Sequence, residues 1–326
     1  MTTLKLPAHL VGHKAFNRVF QQGKLTFGLI APFKGYPDGP IPDMDDHLEL
    51  AQMADKGGIS ALWLRDVPFY DPNFGDAGQQ YDTMVDLGYL AAATKNIALG
   101  TAGIVSPLRN PVLTAKQAAS VDRLSGGRLL LGMSSGDRPV EYPAFGYDFD
   151  NRAERFRESW DIIRLLTENS YPKRETKHYG TFSGNIDMVP KLVSPRLPML
   201  TIGRARQDMS WIANHSDAWI WHGVDPRNSA NIIRELQEAG DGETWRPFGY
   251  ANFLELSENP NEPLRMFNNI FMRAGTNTLM EFWKQQEAAG VSHITLNLKP
   301  SRRPGKEVLQ ELIENVLPHF SAIPTE

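Results

Sequence analysis

The chain has 326 residues with 34 Lys and Arg against 38 Asp and Glu, a formal charge of −4, so no global positive field exists to hold a nucleic-acid backbone. Hydrophobic residues at 41% and charged residues at 22% place it among ordinary globular sequences rather than disordered ones. Cysteine is absent, which excludes disulfides, thiolate metal sites and a cysteine nucleophile together, and suits a reducing cytoplasm.

Residues 1–24 carry no uninterrupted apolar run, and nowhere does the chain reach the about 18 consecutive apolar residues of a membrane span. A soluble, cytoplasmic protein with no membrane partner is therefore expected. This opening segment reads as an extension packed on the outside of the fold or on a second subunit. From Leu25 onward, short apolar runs alternate with stretches of helical period. Leu25–Ile30 predicts the first strand, Pro42-Asp43 the start of a helix running to Lys56, and Gly57-Gly58 its stop. Strand Ala61–Arg65 precedes a helix over Gln79–Thr94. Strand Ile97–Ala102 precedes a helix that Asn110 caps and Pro111 opens, ending at Ser125-Gly126-Gly127. Strand Arg128–Met133 leads to a helix over Asn151–Glu168, after which 170–196 lacks periodicity and reads as an insertion. Strands Met199–Ile202, Ala218–Trp221, Phe248–Leu256 and His293–Leu298 are each followed by a helix: Gln207–His215, Pro226–Ala239, Thr276–Ala289 and Gly305–Leu317.

Eight strands each followed by a helix predict an α/β fold of the TIM (β/α)8 barrel type, with the insertion after the fourth unit and 25–326 as a single domain. A doubly wound sheet is the alternative, but G-x-G-x-x-G occurs nowhere. In such a barrel, functional groups gather at the C-terminal ends of the strands. There the sequence places Arg65-Asp66, Thr101-Ala102-Gly103, Ser134-Ser135-Gly136-Asp137, Gly203-Arg204-Ala205-Arg206 and Trp219-Ile220-Trp221-His222. Gly203–Arg206 joins a strand to a helix beginning near Gln207 or Asp208, so helix N–H groups, two guanidiniums and a glycine can cradle a phosphate, or the two arginines can be surface groups paired with carboxylates. Ser134-Ser135-Gly136 can bind phosphate or end a strand in a turn. Trp219 and Trp221 share one face of a strand and fill either the core or a wall against a flat ligand. His222 and Asp66 are the candidate acid–base residues, each with an ordinary hydrogen-bonded or ion-paired reading beside it. The eight histidines show neither H-x-H nor H-E-x-x-H, so no metal site is expected.

The run IALGTAGIVSPLRNPVLTAKQAASVDRLSGGRLLLGMSSGDRPVEYPAFGYDFDNRAERF, Ile97 to Phe156, resembles the bacterial-luciferase-like flavin monooxygenases. "ALWLRD", "TIGRARQDMSWIANHSDAWI" and "AAGVSHITLNL" follow in the expected order. The resemblance implies a flavoprotein oxidoreductase that binds reduced FMN at the barrel mouth and works as a monooxygenase with O2 on a small organic substrate. It also implies a homodimer, with reduced flavin supplied by a separate flavin reductase or by NAD(P)H. F420-dependent hydride transfer is the alternative, and a catalytically silent flavin-binding homologue is another. Carried over by residue, Ala102-Gly103 matches the family's non-proline cis peptide beneath the ring. Thr101 then faces the ring edge, Ser134, Ser135 and Gly136 line the ring or phosphate side, Gly203, Arg204, Ala205 and Arg206 hold the phosphate, and Trp221 contacts the cofactor. Where luciferase has a glutamate-histidine-histidine run, this chain has Asp66-Val67-Pro68, so light emission on an aldehyde is not expected. Ser134 stands where luciferase carries a thiol. The expected substrate-pocket walls include Phe33, Tyr36, Asp137, Arg138 and the 170–196 insertion.

Overall fold

A computed structural model of the chain describes residues 4–320. Its barrel strands are β1 (Thr26–Ile30), β2 (Ala61–Leu64), β3 (Ala98–Thr101), β4 (Leu129–Ser134), β5 (Met199–Ile202), β6 (Ala218–His222), β7 (Phe248–Leu256) and β8 (His293–Asn297). All pair in parallel in chain order, and Thr26 opposite His293 joins β1 to β8, closing the barrel. The helices after the strands are α1 (His47–Gly57), α2 (Thr83–Ala93), α3 (Pro111–Ser125), α4 (Arg152–Glu168), α5 (Met209–His215), α6 (Ser229–Glu238), α7 (Thr276–Ala288) and α8 (Gly305–Glu311). The predicted order of elements and their barrel arrangement are thus observed.

Caps set the boundaries that periodicity misplaced. The α2 helix starts at Thr83 rather than Gln79 because the Asp82 carboxylate accepts the Met84 and Val85 N–H groups at 2.9 and 3.1 Å. Helix α1 starts at His47, five residues past Pro42, with Asp43 held instead in an ion pair with Lys34. For α3 the prediction holds. Asn110 accepts the Val112 N–H at 2.9 Å, and Gly126 ends the helix at φ 67°, a left-handed conformation that costs a glycine little.

Side chains alternate between the barrel interior and the helical layer. Ile30, Ala61, Trp63, Ala98, Leu130, Leu200, Ala218 and Ile220 point inward, while Leu29, Leu62, Leu64, Leu99, Leu131 and Trp219 pack under the helices. Trp63 fills the interior, and β1 and β3 make room for it with glycine. A Cβ on Gly28 would lie 2.6 Å from the indole Nε1, and one on Gly100 would lie 2.3 Å from Cε3. The indole N–H donates to His293 Nε2 at 3.0 Å, which fixes the ring's proton on Nδ1, facing Thr26 Oγ1 at 2.8 Å.

The N-terminal extension does not lie on the outside of the barrel. Leu10, Phe16, Val19 and Phe20, carried by the short helix Lys14–Val19 and its flanks, plug the N-terminal end of the barrel and pack on Ala61, Ala98 and Leu200. Small residues at the starts of the strands leave an apolar hole there that burial of two phenyl rings fills. The insertion also departs from expectation: it carries an antiparallel hairpin, Lys173–Glu175 with Thr181–Ser183. Its later part runs along α3, where Asp122 accepts the Val193 N–H at 2.7 Å and Arg123 donates to the Lys191 carbonyl at 2.6 Å, so it is not a wall of the mouth. A second hairpin, Arg265–Phe267 with Phe271–Ala274, extends the sheet beside β7 and went unread because it is only three to four residues per strand.

Candidate active site

At the C-terminal ends of the strands lies a cavity of about 970 Å³, within the range of small-molecule and cofactor sites. Ala102, Gly103, Ser134, Ser135, Gly136, Gly203, Arg204, Ala205, Asp66 and His222 line it, so loops after five different strands converge as the sequence predicted. Asp137 and Arg138 line it as well, whereas Phe33 and Tyr36 do not.

Two predicted lining residues face the other way. Thr101 is fully buried, and its hydroxyl donates to the Gly132 carbonyl at 2.6 Å. Since Gly100 faces Trp63 in the interior, alternation turns Thr101 outward and Ala102 inward. Trp221 packs with Trp219 in the layer outside the barrel, ring centroids 5.1 Å apart, because Ala218, Ile220 and His222 take the inward positions of β6. The Ala102–Gly103 peptide is also not the expected cis bond: the cis peptides among the described residues are Ala31–Pro32 and Val189–Pro190. Gly103 turns the chain instead through φ 104°, a conformation open to glycine.

The polar groups divide into tied and untied. Asp66 is tied: Arg109 grips it bidentately at 2.6 and 2.9 Å, and the Val105 N–H adds a bond at 2.9 Å. Its partner is therefore Arg109 and not the neighbouring Arg65. Arg65 instead reaches Asp76 at 2.7 Å and the Tyr36 hydroxyl at 2.9 Å, with Lys299 3.3 Å from Asp76, a network that fixes the loop after β2. Burial pushes the Tyr36 hydroxyl up, and Arg65 holds the Asp76 carboxyl below its ordinary value against the cost of burial.

His222 is open to the cavity but ringed by protein. Burial lowers its pKa, against the hydrogen bond to the Ala251 carbonyl and with the help of the Arg65 charge. Its Nδ1 lies 3.1 Å from that carbonyl, which only accepts, so the proton sits on Nδ1 and Nε2 is the acceptor of the neutral ring. The inward phase of β6 and a carbonyl on β7 thus fix the tautomer.

Of the arginines expected to hold a phosphate, Arg204 lines the cavity and Arg206 does not, and Asp150 is an acid close enough to act on Arg152. Arg204 lines the wall, its guanidinium 5.5 Å from the Trp221 ring, and exposed Arg206 lies near enough to Arg152 to depress it further after burial. Arg152 opens α4, its guanidinium 3.4 Å above the Phe149 ring and bonded to the Phe149 carbonyl at 2.6 Å. Among the described residues none of these three arginines pairs with a carboxylate. The helix after Gly203–Arg206 starts later than predicted, at Met209, and Asp208 caps it by accepting the Trp211 N–H at 2.7 Å. The predicted cradle is therefore left without that helix N-terminus. Ser134, whose hydroxyl bonds to the Gly103 carbonyl at 3.2 Å, and Ser135 line the cavity.

Sequence reading missed the apolar wall. Phe253 and Phe271 line the cavity because β7 runs on past the barrel and the second hairpin pairs with it. Phe74 closes the opposite side, with the Arg138 guanidinium 4.0 Å from its ring. Glu141 was missed too, although "PVEYPAF" sets a lone carboxylate in apolar surroundings.

A family model described as luciferase-like monooxygenase matches residues 25–301. The chain belongs to the luciferase-like monooxygenase family. Among curated relatives, the oxygenase component of a flavin-dependent trigonelline monooxygenase from Acinetobacter baylyi is 29% identical over 210 residues, 64% of this chain and 53% of that protein. The chain thus spans about half the length of that relative. Two solved structures share the fold. A monooxygenase from Streptomyces bottropensis superposes with a TM-score of 0.74 at 18% identity, covering 90% of this chain and 99% of that one. An F420-dependent secondary alcohol dehydrogenase gives a TM-score of 0.72 at 17% identity, covering 92% and 100%. The fold is therefore shared with a monooxygenase and with a dehydrogenase named for F420.

Proposed function

We propose that this protein is an FMN-dependent monooxygenase that takes reduced FMN and O2 at the barrel mouth and oxygenates a small organic substrate. The observation that carries the reading is Arg204 on the wall of a cavity of about 970 Å³, two residues from Arg206, which lies near Arg152, with none of the three guanidiniums in an ion pair with a carboxylate among the described residues. These arginines lack a paired counter-charge, which a phosphate would supply. The donor set fits FMN: guanidiniums and the Ser134 and Ser135 hydroxyls for the phosphate end, and the backbone at Ala102-Gly103 for close approach of a flat ring. When bound, reduced FMN supplies the electrons and the oxygen-activating ring.

The chain's own residues do the rest. Arg204, Arg206 and Arg152 anchor the phosphate, and Phe74, Phe253 and Phe271 exclude water from the reacting region. The His222 Nε2 accepts a hydrogen bond from a substrate or ring N–H or O–H. Asp66 acts as a positioning residue that holds the loop after β3 through Arg109 and Val105. A separate flavin reductase supplies the reduced flavin, as the "oxygenase component" in the name of the Acinetobacter relative suggests for that protein. NAD(P)H acting at the same mouth is the other source. We place the protein in the cytoplasm; no described helix is long and apolar enough to cross a membrane. A homodimer is supported by exposed Val85 and Tyr89 on α2 beside exposed Leu113 on α3, and Val85→Asp should convert the dimer to monomer in sedimentation.

The likeness in fold to the F420-dependent dehydrogenase favours F420 hydride transfer as the second reading. Anaerobic titration with reduced FMN and reduced F420 separates them. The oxygenase reading expects tighter FMN binding and flavin-dependent incorporation of oxygen from O2; a clear preference for F420 overturns it.

A further inference from the structure

Glu141 opens the short helix Glu141–Ala144 on the loop after β4 and lines the cavity. It is 5% exposed, and no hydrogen bond from the described residues reaches its carboxylate, whose Oε1 is sealed from solvent. Its nearest cation is Arg138, with Nη1 3.8 Å from Oε1, beyond hydrogen-bond range. That guanidinium is engaged elsewhere, donating to the Phe69 carbonyl at 3.2 Å and the Asp76 carbonyl at 2.9 Å. Three acids also act on it: Asp137 on the same loop, and Asp66 and Asp71 on the loop after β2. The carboxyl has given up water without gaining donors, and burial, opposed by Arg138 and reinforced by these acids, pushes it up to about 7. Of the other carboxylates lining the cavity, Asp66 has both oxygens occupied by Arg109, Asp76 is paired with Arg65 and Lys299, Glu255 is paired with Arg273, and Asp137 is exposed.

On the oxygenase reading above, we propose that Glu141 is the acid–base residue of this cavity and takes the proton from an ionisable O–H or N–H of the substrate. The carboxylate forms its O–H bond as the substrate's O–H or N–H bond breaks, and the electron pair stays on the substrate, leaving an electron-rich anion for oxygen transfer. Solvent then receives the proton from the carboxylic acid. The matching substrate class is a weakly acidic aromatic, a phenol or ring N–H heterocycle, which also suits the walls formed by Phe74, Phe253 and Phe271. A group that titrates near the working pH can both accept and release a proton, as proton transfer in turnover requires.

Carboxyl-carbon NMR of the full chain labelled at glutamate, with and without FMN, reads the residue directly. One glutamate titrating near pH 7 is expected in the wild type, lost in Glu141→Gln and moved toward the ordinary range in Asp137→Asn. The Asp137 variant, on an exposed side chain, keeps the test valid should Glu141→Gln fail to fold. As a substrate probe, 4-nitrophenol should bind the wild type with the absorbance of its anion and bind Glu141→Gln as the neutral phenol. Glutamates all titrating in the ordinary range overturn the proposal, as does a 4-nitrophenol spectrum that is the same with both proteins. Failure of FMN to bind would remove the flavin reading while leaving both of these results to decide Glu141.

Discussion

Asp66 and Glu141 are two carboxylates on one cavity whose surroundings assign them different work. Asp66 accepts a bidentate guanidinium and a backbone N–H, so its charge is satisfied and it serves to hold a loop. Removing it would leave the half-buried Arg109 with only Asp82 at 3.0 Å, and Asp66→Ala should lower stability by about 1–3 kcal/mol in denaturant unfolding. Asp66→Asn should leave the pH profile of turnover in place, whereas a lost acid limb would make Asp66 the proton-transfer residue instead. The residue types at the mouth were legible because a barrel sends its strand ends to one face: Ser134, Gly136, Arg204 and His222 lie where the sequence put them. Thr101 and Trp221 were misread for a physical reason. Strands of a parallel barrel are buried on both faces, so their sequence does not mark which side faces in, and an error of one residue reverses every side chain.

At the scale of elements, strand and helix order followed from periodicity, and α3 followed from its caps. What periodicity could not convey was the fit between elements. Trp63 occupies space that Gly28 and Gly100 leave free, so the identities of three strands depend on one another. Gly100→Ala puts a methyl group 2.3 Å from the indole, and displacement of the ring should destabilise the barrel by about 1–3 kcal/mol, read as a lowered denaturant midpoint at unchanged slope. The N-terminal plug escaped sequence reading for a similar reason. Phe16 and Phe20 look like any amphipathic pair until the ring of small residues at the strand starts is seen to need filling. The hairpin at 265–274 is short, and its role as a cavity wall comes from pairing with an over-long β7 rather than from its own pattern.

At the scale of the whole molecule, buried ionisable groups tie ends of the chain together and set its response to acid. His293 is lowered to about 3 by burial in the barrel. Burial also lowers His13 in the plug to about 4, with Asp217 opposing and His9 adding. The unfolded chain protonates both near 6.5 while the native state does not, so their contribution is present above 6.5 and is lost as pH falls toward 4. Glu141 acts in the opposite sense: raised to about 7, it favours the native state below its unfolded value and loses that contribution as pH rises through 7. His13 and His293, joined by His222, whose pKa burial also lowers, outweigh Glu141, so stability falls as pH drops between about 6 and 5, and Glu141→Gln should steepen the fall. Urea unfolding across that range checks both slopes; a flat profile would contradict the burial assigned to these groups. Asp217 is held down to about 2: Arg164, His9 at 3.0 Å and the Met199 N–H at 2.8 Å outweigh the cost of burial. It stabilises the native state above about 4 and is lost as pH falls toward 2. The proposed phosphate site draws on the same convergence of distant segments: the end of β4, the start of α4 and the loop after β5. Its decisive measurement is the affinity for reduced FMN, with riboflavin as the phosphate-free control, in the wild type and in Arg204→Ala with Arg206→Ala. The account predicts that the double variant binds FMN about 2–4 kcal/mol more weakly, roughly 30- to 1000-fold, with riboflavin binding unchanged. Equal FMN affinity in the two proteins would contradict it.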